Sequence, residues 1–310
     1  MRIVFMGTPE FAVSSLEALY ESGQDVVLAV TQPDRPKGRG YVLTPSPVKV
    51  CALEHGTEVI TPEKMRDESV LETLKNAKAD MFVVTAFGKI LPQSVLDIPP
   101  MGCVNVHASL LPKLRGAAPI NRAVMNGDTS GGITLMYMDA GMDTGDIISE
   151  HETEIPADWD AGDYHDALME MSKSALKGFI ELCESGKSIP RKKQDDGEAT
   201  YAPKITGEDT LLDFGADCVS VCNRIRSLAP APCAYFLLCG KRIKVRKAIV
   251  SDGSGKPGEV ISCDRGGIEI ACGKGSVIIK SLCPEGKSLT DAESYLRGHR
   301  LAAGTIANGR

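Results

Sequence analysis

The sequence RIVFMGTPEF, residues 2–11, joins a short apolar run to a Gly-Thr-Pro turn and to the first residues of a helical pattern. The run at residues 2–6 is typical of a buried strand. Thr8 is suited to cap a helix and Pro9 to occupy its first position. Apolar residues then recur at helical spacing, at Phe11, Leu16 and Leu19. A strand that passes directly into a helix is the repeating unit of an α/β protein.

The same alternation continues through the first two hundred residues. Apolar runs predict further strands at residues 25–31, 81–85, 103–106 and 133–138, with helical stretches between them. This order predicts a Rossmann-like domain of the α/β class, with a mainly parallel sheet covered by helices.

The pattern changes near residue 186. Residues 186–199 contain Gly, Pro, three consecutive basic residues and two aspartates, which indicates an exposed linker. After a helical stretch at 216–227, short strands separated by Gly-rich turns predict a small OB-like β-barrel, at residues 234–239, 243–249, 258–262, 267–272 and 276–282. We therefore expect a first domain at 1–189, a linker at 190–204 and an OB-like domain at 205–310.

Composition excludes several classes of protein. No apolar run of the 310 residues approaches the ~20 residues that span a bilayer, and no signal-peptide pattern follows Met1. The ten cysteines show no CxxC spacing and no Cys/His ladder, so a metal site is not expected. Reduced, buried thiols in a cytoplasmic protein are the favoured interpretation.

Charge is distributed unevenly along the chain. The net charge of −6 divides into −11 for residues 1–190 and +5 for residues 191–310. A basic tail domain favours a polyanionic partner, although chance variation between two domains explains this fact equally well.

Two common nucleotide motifs are missing. The turn MGTPEF has one glycine where a dinucleotide site needs GxGxxG, and no P-loop pattern occurs. A nucleotide-dependent oxidoreductase and a kinase are therefore poor interpretations.

The first candidate for chemistry is Asn105-Val106-His107, at the end of the fourth predicted strand. Side chains two apart on a strand point to the same face, and ligands bind at the carboxyl ends of strands in such sheets. An amide donor beside an imidazole suits a developing oxyanion. The alternative is a hydrogen-bonded pair that only ends a strand.

Two loops add charged residues. The loop at 138–146 follows the next strand and holds three acids, of which one carboxylate can orient the His107 ring and stabilise its protonated form. Its spacing does not match a calcium loop, and the alternative is solvated turn acids. The loop at 32–41 holds Arg35, Lys37 and Arg39, which suit phosphate contacts, the alternative being an ordinary solvated surface.

These motifs together resemble a known family. NVHASLLPKLRGAAPI (105–120), AFGKILP (86–92) and MDAGMDTGDI (138–147) are similar to the formyltransferases that use 10-formyltetrahydrofolate. The loop TQPDRPKGRG (31–40), the segment PSPVK (45–49) and the carboxy-terminal domain resemble those of family members that act on methionyl-tRNA.

The resemblance implies a reaction and the residues that perform it. The formyl group would pass to the α-amino group of methionyl initiator tRNA, giving N-formylmethionyl-tRNA for translation initiation. Apart from the resemblance, we expect a cytoplasmic monomer without a metal. The implied catalytic residues are Asn105, His107 and Asp143. The implied folate contacts are Ser109, Leu110, Leu111 and Pro112, with the pteridine held less securely by the backbone of 86–92 and the 140–143 loop. The implied tRNA contacts are Arg35, Lys37 and above all Arg39, with the OB-like domain lying along the tRNA.

Two other interpretations stay open. A hydrolase of formyltetrahydrofolate, or a formyltransferase acting on a sugar amine or purine precursor, would share the three catalytic residues but need neither the basic loop nor the tail. A non-catalytic RNA-binding protein on a degenerate enzyme fold is the second, and the intact Asn105, His107 and Asp143 speak against it.

Overall fold

The computed structural model describes residues 1–37 and 40–309. The chain forms two compact units. The first consists of Met1–Pro119, Ser130–Thr153 and His165–Ala202, and the second of Ile120–Thr129, Glu154–Tyr164 and Pro203–Arg310. In the described part of the chain, no helix has the length and apolar character that crossing a membrane requires.

A seven-stranded sheet forms the body of the first unit. The strands of this part of the chain are β1 (Arg2–Gly7), β2 (Asp25–Val30), β3 (Arg35–Lys37), β4 (Val42–Thr44), β5 (Val59–Ile60), β6 (Met81–Thr85), β7 (Cys103–His107), β8 (Ser130–Tyr137) and β9 (Ile147–Glu154). Their order in the sheet is β5-β2-β1-β6-β7-β8-β9, while β3 and β4 form a separate hairpin. From β5 to β7 in that order the strands pair in parallel, and β8 is antiparallel to β7, which confirms the mainly parallel sheet.

The helices of the described part of the chain are α1 (Glu10–Glu21), α2 (Pro47–Glu54), α3 (Glu68–Asn76), α4 (Gln93–Leu96), α5 (Pro119–Asn126), α6 (Ala161–Glu184), α7 (Gly207–Thr210), α8 (Cys218–Ser227) and α9 (Ala292–Gly298), with a 3-10 helix at Asp196–Glu198. Helices α1 to α6 alternate in sequence with these strands, as predicted, and α7 to α9 follow in the second unit. Phe11, Leu16 and Leu19 of α1 are buried, as their spacing predicts.

The predicted cap of α1 is wrong. Pro9 occupies the cap position and makes no side-chain cap hydrogen bond. The hydroxyl of Thr8 donates instead to the carbonyl oxygen of Phe87, at 3.0 Å. The first turn of α1 is thereby joined to the loop that follows β6.

The second unit is built around an antiparallel sheet. Its strands are β10 (Ala234–Leu238), β11 (Lys241–Ser251), β12 (Val260–Asp264), β13 (Gly267–Ala271), β14 (Ser276–Pro284), β15 (Thr290–Asp291) and β16 (Ala307–Asn308). The order is β12-β13-β14-β11-β10-β16, with β15 on β14. An antiparallel bridge between Glu259 and Ile306 joins the two ends of this order. The small barrel-like sheet predicted from the Gly-rich turns is confirmed.

The long strand β11 allows this sheet to curl. Its pairing with β14 shifts register at Val245/Lys247 and again at Lys247/Ala248. Such irregularities bend a strand and increase its twist. Inside the curl, Phe236, Val245 and Ile270 are fully buried and form part of one apolar core.

Candidate active site

The candidate site lies at the carboxyl end of β7. Asn105 and His107 are two residues apart on this strand, so their side chains emerge on the same face. Both residues are buried, with 9% and 6% of their surface exposed. The strand lies between β6, to which it is parallel, and β8, to which it is antiparallel.

The two ring nitrogens of His107 have different partners. Nε2 lies 3.1 Å from the carbonyl oxygen of Leu114. Because a carbonyl oxygen only accepts, we assign a proton to Nε2. Nδ1 lies 3.7 Å from Oδ1 of Asp143, which is too long for a direct hydrogen bond. A second proton on Nδ1 would make the ring a cation beside this carboxylate. The exchangeable proton of His107 therefore belongs on Nδ1.

Asp143 is held in place through its other carboxylate oxygen. Oδ2 accepts a hydrogen bond of 2.8 Å from the backbone N–H of Gly116. The φ angle of Asp143 is +55°, in the left-handed region that residues with a side chain rarely adopt. One oxygen is therefore anchored, and the other faces the imidazole ring.

The structure distinguishes the three acids of the 138–146 loop. Asp139 shapes the turn, because its Oδ1 accepts from the Gly141 N–H and from the Thr144 hydroxyl. Asp146 lies 4.0 Å from a guanidinium nitrogen of Arg191. Of the three, Asp143 is the one that faces His107.

The amide of Asn105 makes no side-chain hydrogen bond within the described part of the chain. A side-chain amide carries two N–H donors and one acceptor, and those of Asn105 are not among the fully buried polar atoms that lack a partner. This side chain is therefore available to donate to a ligand atom that arrives at the end of β7.

The segment Ser109, Leu110, Leu111 and Pro112 continues directly from this site. The Ser109 hydroxyl donates to the Lys113 carbonyl at 2.6 Å. Thr134 of β8 donates from its hydroxyl to the Ser109 carbonyl and accepts from the Leu111 N–H. These bonds fix the segment against β8.

The 86–92 loop follows β6, the strand beside β7. Ala86 and Gly88 both have positive φ, at +46° and +75°. The carbonyl oxygen of Phe87, between them, accepts from the Thr8 hydroxyl and from the side-chain amide of Gln32. The loop is thus held by side chains from the β1–α1 turn and from the segment after β2.

The basic hairpin is only partly described. Arg35 lies on β3 and donates from Nη2 to Oε1 of Gln32 at 2.7 Å, which links the hairpin to the 86–92 loop. Lys37 ends β3, and Arg39 lies outside the described residues. Residues Tyr41, Val42 and Leu43, at the start of the return strand, are strongly exposed.

Two residues near the site were not found from the sequence. Arg115 is only 2% exposed, and it donates from Nε and Nη2 to Oε1 of Gln194. Gln194 in turn donates to the carbonyl oxygens of Asp143 and Gly145. The run LRGAAP following SLLP was the one signal that pointed to Arg115.

Cys103, the first residue of β7, has a thiol that is unsuited to nucleophilic attack. Burial, reinforced by the charge of Asp97, raises the pKa of the Cys103 thiol to about 12. A thiol with such a pKa stays protonated at neutral pH and is a poor nucleophile. Among the described residues, no three His, Cys, Asp or Glu side chains are grouped so that they could hold a metal ion.

The chain matches the models of one enzyme family. The family model "Formyl transferase" matches residues 1–180, and "Formyl transferase, C-terminal domain" matches residues 204–300. The chain belongs to the formyltransferase family, as the motifs predict.

Within this family, relatives that match nearly the whole chain are named methionyl-tRNA formyltransferases. A methionyl-tRNA formyltransferase of Citrifermentans bemidjiense is 47% identical over 306 residues, covering 99% of this chain and 96% of the relative. A methionyl-tRNA formyltransferase of Neisseria meningitidis is 42% identical over 307 residues, covering 99% of this chain and all of the relative.

Solved structures share the fold. The sugar 3N-formyl transferase WlaRD superposes with a TM-score of 0.68 at 20% identity, covering 93% of this chain and 99% of that one. HypX from Aquifex aeolicus, solved in complex with tetrahydrofolic acid, has a TM-score of 0.64 at 18% identity, covering all of this chain and 51% of that one.

Proposed function

We propose that this chain transfers the formyl group of 10-formyltetrahydrofolate to the α-amino group of methionyl initiator tRNA. The observation that carries the proposal is the Asn105 amide, which has no hydrogen-bond partner among the described residues, beside the His107–Asp143 pair at the end of β7. The relatives named methionyl-tRNA formyltransferase, which match nearly the whole chain at 42–47% identity, support the choice of acceptor.

The residues present fit a folate formyl donor. An unpartnered amide donor and an imidazole next to a carboxylate are the groups that a formyl oxygen and an attacking amine require. Ser109, Leu110, Leu111 and Pro112 would hold the folate, with help from the backbone of 86–92 and of the 140–143 loop. The tetrahydrofolic acid complex of HypX, which has the same fold, supports this ligand class. When bound, 10-formyltetrahydrofolate supplies an activated formyl carbon.

Asn105 stabilises charge in this scheme. Its amide N–H donates to the formyl oxygen, where negative charge develops as the amine attacks. The side chain is already positioned on a rigid, fully paired strand, so little reorganisation is needed. Removing one such donor typically costs ~10²–10³ in rate.

His107 and Asp143 act as a pair. Because Nε2 is bonded to Leu114, Nδ1 is the nitrogen that holds the exchangeable proton and faces Asp143. The protonated ring adds positive charge near the developing oxyanion. Asp143 balances that charge and assists transfer of a proton from the α-amine to the folate nitrogen that gives up the formyl group, a contribution of order 10²–10⁴.

The acceptor would be recognised outside this site. We assign phosphate contacts to Arg35, Lys37 and Arg39 of the hairpin, with Arg39 first. The proposed OB-like domain, 205–310, would follow the tRNA while 1–189 carries the chemistry and 190–204 links them. Its strand β11 alone carries the basic residues Lys241, Arg242, Lys244, Arg246 and Lys247. The enzyme would work as a monomer in the cytoplasm.

The experiment offers three acceptors to the purified chain with 10-formyltetrahydrofolate: initiator methionyl-tRNA, elongator methionyl-tRNA and free methionine. We expect formyl transfer to the initiator tRNA alone. Release of formate without transfer to any acceptor would contradict the proposal and indicate a hydrolase. Transfer to free methionine at the same rate would contradict the tRNA assignment.

A further inference from the structure

We propose that Gln194 is a positioning residue for formyl transfer, which holds the backbone around Asp143 so that its carboxylate faces His107. The inference rests on the proposed function. Gln194 lies in the segment after α6, far along the chain from the motifs that carry the family resemblance.

The amide of Gln194 is fully used. Nε2 donates to the carbonyl oxygen of Asp143 and to that of Gly145, each at 2.8 Å. Oε1 accepts from Nε and Nη2 of Arg115, at 3.1 and 2.8 Å. Because a guanidinium group only donates, the oxygen must face Arg115 and the nitrogen must face the loop. The orientation of the amide is therefore unambiguous.

Arg115 connects this amide to both members of the catalytic pair. Its neighbour Leu114 accepts the hydrogen bond from His107, and its other neighbour Gly116 donates to Asp143. The guanidinium is almost completely buried and also pairs with the exposed carboxylate of Asp196 at 2.8 Å. The 114–116 turn thus bonds to the side chain of Asp143, and Gln194 bonds to the backbone of the same loop.

The loop needs such support. Asp143 has a φ of +55°, glycines stand at 141 and 145, and Met142 is 62% exposed. Residues 139–142, which lead into Asp143, are exposed and therefore contribute little packing to hold this conformation. The two hydrogen bonds from Gln194 are made to the carbonyls of 143 and 145, within this loop.

Two substitutions separate the two ends of the amide. Gln194→Glu keeps an oxygen for Arg115 but replaces the donor with a second oxygen opposite two carbonyls. Gln194→Leu removes both ends. Glu198→Gln is the control, because Glu198 is an exposed residue of the same segment whose side chain makes no hydrogen bond or ion pair in the described part of the chain.

The kinetic measurement asks whether a substitution changes kcat, KM or both. A misplacement of about 1 Å in a catalytic group costs on the order of 10²-fold in rate. We expect kcat to fall by about that factor in Gln194→Glu and Gln194→Leu, with the KM for methionyl-tRNA unchanged. The pH profile of kcat should change in both variants and stay that of the wild type in Glu198→Gln.

The second readout needs no substrate. The Gly116 N–H is protected by Asp143, so its hydrogen exchange reports whether the carboxylate stays in place. We expect faster exchange at Gly116 and across 139–145 in both Gln194 variants, with unchanged exchange in the strands of the sheet.

The proposal requires both readouts to change. A wild-type kcat, or wild-type exchange at Gly116 and 139–145, in the two variants would overturn it. If the wild-type protein transfers no formyl group, the proposed function fails, while the exchange measurement still tests the hold of Gln194 on the loop.

Discussion

At the scale of single residues, the two side chains of the proposed catalytic pair, His107 and Asp143, each have one polar atom bonded to the backbone and a second polar atom that faces the other side chain. His107 is bonded through Nε2 to Leu114, and Asp143 is bonded through Oδ2 to Gly116. The groups left facing each other, Nδ1 and Oδ1, lie 3.7 Å apart. In the proposed reaction, one nitrogen and one oxygen are thus left for proton movement.

Asn105→Ala tests the proposed donor. The substitution removes the unpartnered N–H without breaking a side-chain hydrogen bond seen in the described residues. We expect kcat for formyl transfer to fall by ~10²–10³, with the free energy of unfolding little changed. Asn76→Ala, at an exposed helix end, is the matched control. A kcat within a factor of a few of the wild type would remove Asn105 from the reaction.

Asp143→Asn tests the assignment among the three loop acids. The amide oxygen of Asn still accepts from Gly116, but the negative charge beside His107 is removed. We expect kcat to fall by a factor of order 10²–10⁴. Asp146→Asn, in the same loop, should leave kcat near the wild-type value. Equal decreases in the two variants would show that the general charge of the loop, not Asp143, matters.

The sequence was sufficient to predict that Asn105 and His107 share one face at the end of a strand, because side chains two apart on a strand point the same way. It also placed Asp143 among three candidate acids. The bond between Arg115 and Gln194 joins positions 79 residues apart. No local pattern encodes such a contact, so Gln194 became visible only in the folded chain.

At the scale of elements, the buried strands were predictable and the edge strands were not. Strands β1, β6 and β7 are almost entirely buried and therefore appear as continuous apolar runs. The edge strand β5 has two residues, and the other edge strand β9, IISEHETE, is polar over most of its length. An exposed edge needs few apolar residues, so these strands left no apolar run.

The pair Arg122–Asp209 tests how α5 is tied to α7. Two guanidinium nitrogens of Arg122 donate to the two carboxylate oxygens, at 2.8 and 3.0 Å. Partial burial tends to raise the pKa of Asp209, but hydrogen bonds, that from Arg122 foremost, outweigh it, so the pKa lies below its usual value. A carboxyl with a depressed pKa stabilises the fold above its unfolded pKa and ceases to do so as the pH falls through its folded pKa.

We therefore expect Asp209→Asn to lower the free energy of unfolding by about 1.5–3 kcal/mol at pH 7, as for a hydrogen bond to a charged group. The difference from the wild type should shrink as the pH falls below about 4. Urea unfolding at pH 7 and at a pH below about 4 measures this difference in the free energy of unfolding. Asp252→Asn, at an exposed position, is the control. A difference that grows on acidification would contradict the sign of the pKa shift.

The basic residues of the 32–41 loop are expected to set part of the salt dependence of tRNA binding. Removing one cation that binds a phosphate lowers the slope of log affinity against log salt by ~0.7–0.9. We expect Arg39→Ala to reduce the slope by about that amount and to weaken tRNA-dependent transfer. Lys75→Ala, on the exposed face of α3, should leave the slope unchanged. An unchanged slope in Arg39→Ala would make the hairpin an ordinary surface loop.

At the scale of the whole molecule, charge and chemistry are divided along the chain. The proposed catalytic pair lies in the acidic first part, with a net charge of −11 over residues 1–190, whereas residues 191–310 have a net charge of +5. An acidic surface repels a polyanion, so we propose that the tRNA is held by local basic groups such as the hairpin and β11. The amino-acid composition shows this division of charge but does not show which residues contact the tRNA.

The most direct test of the central claim is the single-turnover rate of formyl transfer to initiator methionyl-tRNA, measured for the wild type and for His107→Ala. The affinity of each protein for the tRNA is measured in parallel. The account predicts that the rate falls by at least ~10² while the affinity is unchanged, because His107 acts on the reacting groups and not on the tRNA. Transfer by His107→Ala at the wild-type rate would contradict it.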